Sequence, residues 1–101
     1  MKIGTFTQSG DEYRGVIRTL SLTIEVVIRP MTKDAGALAP THTVVVNQIE
    51  VGVAWPKLPT SRDVLKVMMD DPSFPVPLSG LLVREATGAF SLLWKRPKWR
   101  L

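Results

Sequence analysis

The chain has 101 residues, 45% of them apolar and 22% charged, which suits one domain with a thin core and excludes an intrinsically disordered chain. It contains no cysteine, so disulfides, thiol catalysis and zinc–thiolate sites are excluded together. The net charge of +4 belongs to the end of the chain: without Lys95, Arg96, Lys98 and Arg100, nine basic side chains face nine acidic ones.

Period-two alternation dominates from the start. Lys2–Thr7 reads as a short strand, and Gln8-Ser9-Gly10-Asp11 as the turn leading into a second strand, Tyr13–Leu20. Leu22, Ile24, Val26 and Ile28 then form one apolar row set against Ser21, Thr23, Glu25, Val27 and Arg29. Residues Met31–Thr41, with Gly36 and Pro40, read as a longer loop. Asn47-Gln48 reads as a tight hairpin turn, because Asn tolerates positive φ. Ile49, Val51, Val53 and Trp55 make a second apolar row, with a break expected at Pro56 and Pro59 because proline cannot donate to a ladder.

Ser61–Met69 carries a capping signal for a helix at Ser61 and Asp63, but its alternation and two valines favour a strand. The connection Asp70–Pro77 holds three prolines and is expected to be rigid and extended. Leu78–Arg84 and Phe90–Lys95 form a last hairpin around Glu85-Ala86-Thr87-Gly88, with Phe90, Leu92 and Trp94 as a third apolar row. The expected fold is all-β: a single domain of seven to eight short antiparallel strands, as a strongly bent sheet or partly open barrel. Residues 1–94 form that β-domain, and 95–101 a basic C-terminal tail.

Met1-Lys2-Ile3-Gly4-Thr5 lacks the apolar core of a signal peptide, and the uncharged run from Ala35 is interrupted by Pro40, His42 and Asn47. A cytoplasmic protein that does not span a membrane is the expectation.

Several blocks occur together in order: Ile3-Gly4-Thr5-Phe6-Thr7, Gly15-Val16-Ile17-Arg18-Thr19-Leu20-Ser21-Leu22 and Glu50-Val51-Gly52-Val53-Ala54-Trp55. They are followed by Asp70-Asp71-Pro72-Ser73-Phe74-Pro75-Val76-Pro77 and Ser91-Leu92-Leu93-Trp94-Lys95-Arg96-Pro97. In this arrangement the chain closely resembles the proteobacterial domain-of-unknown-function family 736. The resemblance implies a small all-β domain of plasmids and integrative elements, and brings with it no activity, cofactor or catalytic residue.

The residues point away from catalysis. His42 is the single histidine, with no Ser or Cys nucleophile beside it, and is expected at the edge of the core. Asp70 and Asp71 would project to opposite faces of a strand, and Asp71 before Pro72 reads as a turn initiator. No metal-ligand spacing and no glycine-rich phosphate loop is present, so neither metal nor cofactor is expected.

Binding is the stronger class. Arg14 and Arg18 share one strand face, opposite Tyr13, Gly15 and Ile17, and suit either a solvated surface or a phosphate track. Phe6, Tyr13 and Trp55 are expected in the core, with base stacking as the alternative, and Phe74 is expected to plug a core edge. The tail combines Lys95, Arg96, Lys98 and Arg100 with Trp99, which would dock on the sheet, face a partner or join a dimer contact.

The leading expectation is a non-enzymatic domain that binds nucleic acid, single-stranded DNA above all, with little sequence preference. The alternative is a protein–protein module, such as an anti-defence or accessory protein acting on a host complex. Self-association through an open sheet edge is compatible with both.

Overall fold

The computed structural model describes residues 1–20, 22–31, 40–58, 61–74 and 76–94. They form β1 (Lys2–Ser9), β2 (Glu12–Arg18), β3 (Thr23–Pro30), β4 (His42–Val46), β5 (Ile49–Leu58), β6 (Ser61–Met69), β7 (Leu78–Arg84) and β8 (Phe90–Trp94). Each strand pairs antiparallel with the next, and β1 pairs with β8, so the sheet closes into a barrel. The bent sheet read from the sequence therefore curls to full closure. Closure leaves these strands without the open edge considered as a dimerisation route.

Local chemistry sets the turns. Ser9 faces Glu12 across a two-residue turn whose first position, Gly10, has φ 62°. Positive φ at that first position is the type II′ geometry. Val46 faces Ile49 across Asn47 (φ 51°) and Gln48 (φ 65°), two positive angles in succession, as type I′ requires. Gly88 (φ 90°) closes the β7–β8 turn, its N–H donating to the Glu85 carbonyl. The N–H of Met31 donates to the carbonyl of Thr41 at 2.9 Å, clamping the ends of the long loop.

Eight strands leave an interior just wide enough to be filled by side chains. Phe6, Ile17, Ile28, Val44, Leu65, Leu82 and Leu92 are buried there, with Tyr13 and Phe90 in edge-to-face contact at 5.0 Å. Outward positions on β1 to β3 carry Thr5, Thr7, Arg14, Arg18, Glu25 and Arg29, so apolar residues face in and polar ones out. A membrane barrel has the reverse alternation. No helix among the described residues is long and apolar enough to cross a membrane.

Three expectations change. The row Ile49, Val51, Val53, Trp55 is not one inward face: Val51 packs against the core, but Ile49 is exposed and Val53 and Trp55 turn away from it. A bulge pairs Val44 with Gly52 but Val45 with Glu50, and the extra residue Val51 inverts the alternation. Gly52 and Ala54 take the inward positions opposite Val44 and His42, and Val53 and Trp55 face outward.

The strand is also not broken at Pro56. β4 ends where His42 pairs with Ala54, so Pro56 lies beyond it and faces only Leu65 of β6. The missing N–H costs no ladder bond on the side where there is no neighbour.

Lastly, the connection after β6 is not extended throughout. Asp71 accepts hydrogen bonds from the backbone N–H and the hydroxyl of Ser73, and the N–H of Phe74 donates to the Asp71 carbonyl. This Asx turn folds Phe74 back against the core.

Candidate functional site on the outer barrel face

Because the bulge turns Trp55 outward, β5 to β8 carry apolar residues on both faces. Trp55 stands directly opposite Lys66, Lys66 opposite Leu81, and Leu81 opposite Leu93. Direct cross-strand partners point to the same side, with Cβ atoms about 5 Å apart. Together with Met68 and Trp94 these residues line an outer groove of about 750 Å³. Met68 is 44% and Leu93 38% exposed, and the two share this one groove rather than standing singly. Lys66 is the charged side chain in the groove, and it makes no ion pair with the described residues.

The two strand arginines are not equivalent. Arg14 donates from Nε to Glu12 at 2.6 Å, and Arg29 approaches the other oxygen of the same carboxylate at 3.8 Å. Arg14 is thus already committed to an internal carboxylate. Arg18 has no such partner among the described residues. It lines a cleft of about 520 Å³ with Lys2, Thr5 and Val16. Lys95, Arg96, Lys98, Trp99 and Arg100 lie outside the described residues.

Phe6 and Tyr13 are core residues, and only Trp55 of the three aromatic candidates reaches the outer face. His42 is buried at the start of β4, its Nδ1 2.8 Å from the Thr41 hydroxyl and its ring edge-on to Tyr13 at 5.8 Å.

Two carboxylates are held below their ordinary pKa range. The hydroxyl and backbone N–H of Ser73 stabilise the charged form of Asp71. The Ser91 hydroxyl, and then the ammonium of Lys2 at 3.6 Å, do the same for Glu85. No group of three or more His, Asp or Glu residues able to hold a metal ion occurs among the described residues.

The groove is what residue-by-residue reading missed. Its signal was the pair of uninterrupted apolar runs Leu81-Leu82-Val83 and Leu92-Leu93-Trp94, which a strand needs only when both of its faces are covered or used.

Comparison with curated proteins and with solved structures found no match to either. A family model described as a protein of unknown function, DUF736, matches residues 2–97. The strands that build the outer groove all fall within that span, and the chain belongs to the DUF736 family.

Proposed function

We propose that this protein is a non-enzymatic, cytoplasmic domain that binds single-stranded nucleic acid with little sequence preference. The observation that carries the reading is the groove itself, where Trp55 stands directly opposite a lysine that no carboxylate of the described residues neutralises. Aromatic faces stack any base, and a neighbouring ammonium pairs with the phosphate between bases. The sequence continues from Trp94 directly into Lys95-Arg96-Pro97-Lys98-Trp99-Arg100, which adds four cations and a further indole.

The test is an electrophoretic shift of a single-stranded DNA oligonucleotide at low and at high salt. Binding that weakens steeply with salt supports the reading, since each neutralised phosphate adds to the slope. No shift at low salt overturns it, and an unchanged shift after deletion of residues 95–101 removes the tail's share while leaving the groove's.

One observation favours a protein partner as the second reading. Met68 and Leu93 expose apolar surface of the kind that protein interfaces bury. An anti-defence or accessory protein acting on a host complex would use this face. That reading gains if a Met68→Glu change abolishes binding to one defined protein while oligonucleotide binding is absent in the parent chain.

A further inference from the structure

The outer groove and the Lys2–Arg18 cleft are two stretches of one row. Starting at Trp55, direct cross-strand pairs lead to Lys66, Leu81, Leu93 and then Lys2 on β1. Lys2 and Arg18 line the same cleft, which carries the row onto β2. Six strands are crossed, and with neighbouring strands about 4.8 Å apart the row runs about 24 Å around the barrel. Its cations fall on β6, next to the indole at the β5 end, and on β1 and β2 at the other end, with the two leucines between. The carboxylate paired with a cation of this row is Glu85, against Lys2.

We infer that this row is a circumferential track for a single nucleic-acid strand, laid across the β-strands rather than along them. The inference rests on the nucleic-acid reading and fixes its site. Lys66, Lys2 and Arg18 meet phosphates, and Trp55 and the two leucines meet bases. At a stacked rise of about 3.4 Å per nucleotide, 24 Å holds about seven nucleotides. Arg14 lies off the track, tied to Glu12. Glu85 opposes it, because its carboxylate competes with phosphate for Lys2.

The test uses the full chain and fluorescein-labelled oligo-dT of 3, 5, 7, 10 and 15 nucleotides, read by anisotropy. Affinity rises to about seven nucleotides and then levels off, allowing for the tail as a constant contribution. Arg18→Ala weakens binding and lowers the salt slope by about 0.7, the share of one phosphate on a single strand. Arg14→Ala changes neither, and Glu85→Gln tightens binding while its amide oxygen still accepts from Ser91.

Equal effects of Arg18→Ala and Arg14→Ala, or weaker binding in Glu85→Gln, would overturn the track while leaving nucleic-acid binding in place. Absence of binding at every length at low salt would remove the underlying reading as well.

Discussion

The ring of Phe6 lies over Gly15, its direct partner across β1 and β2. A Cβ built on Gly15 would strike the Thr5 carbonyl oxygen and come within 2.5 Å of the Phe6 ring, so the largest buried side chain of β1 needs the smallest residue opposite. This pairing lets an eight-stranded barrel enclose Phe6, Tyr13 and Phe90 together without overfilling.

Gly15→Ala therefore destabilises the fold, although alanine suits a strand better than glycine elsewhere. Forcing one methyl into a filled core costs about 1–3 kcal/mol. The midpoint of urea unfolding should fall with an unchanged slope. An unaltered midpoint would mean that the β1 backbone at Thr5 and the Phe6 ring both have room to move.

Phe6→Ala acts from the other side, by opening a cavity at a position with 0% exposure. The expected loss is about 3–5 kcal/mol, a large part of the 5–15 kcal/mol typical of a whole domain. Thermal unfolding followed by far-ultraviolet circular dichroism should show a large drop in Tm.

Gln48 holds φ at 65° without being glycine. A left-handed angle costs a side-chain-bearing residue about 1–2 kcal/mol. Gln48→Gly should relieve most of that, less the entropy glycine loses on folding, and raise stability by about 0.5–1 kcal/mol. A lower unfolding midpoint in the variant would contradict the type I′ assignment.

Glu85 and Asp71 make stability depend on acid. Both carboxylates have pKa values lowered by folding, through the Ser91 hydroxyl and Lys2 in one case and Ser73 in the other. A lowered folded pKa means that the unfolded chain binds more protons, so stability rises with pH through this range. The contribution is fully present above the ordinary carboxylate range near pH 4 and is lost as pH falls through the lowered values. The stability gap between the parent chain and Ser91→Ala should thus be open at pH 7 and shrink as pH falls below the ordinary carboxylate range. A gap of constant size would mean that Ser91 acts through packing alone.

Most of the fold was legible in the sequence because alternation and turn chemistry are local. Leu78–Arg84 was read to the residue, and the Ser61–Met69 strand was separated from a helix by its valines. The β5 row was misread because a bulge is not written in alternation. Val51 is apolar whether it belongs to the row or interrupts it, and the pairing partner that decides this, Val44, lies on another strand. The same bulge hid the groove, since an inward Trp55 would leave Lys66 and Leu81 an ordinary solvated surface. Arg14 and Arg18 looked alike for a related reason: what separates them is the carboxylate of Glu12, an ion pair that strand spacing alone does not reveal.

Intrinsic tryptophan fluorescence, titrated with unlabelled oligo-dT at low salt, tests the central claim most directly. The account predicts quenching in the parent chain that salt reverses, and a smaller amplitude in Trp55→Phe, whose ring still stacks but does not report. Fluorescence that oligo-dT leaves unchanged at low salt, in a chain shown to be folded, would contradict it.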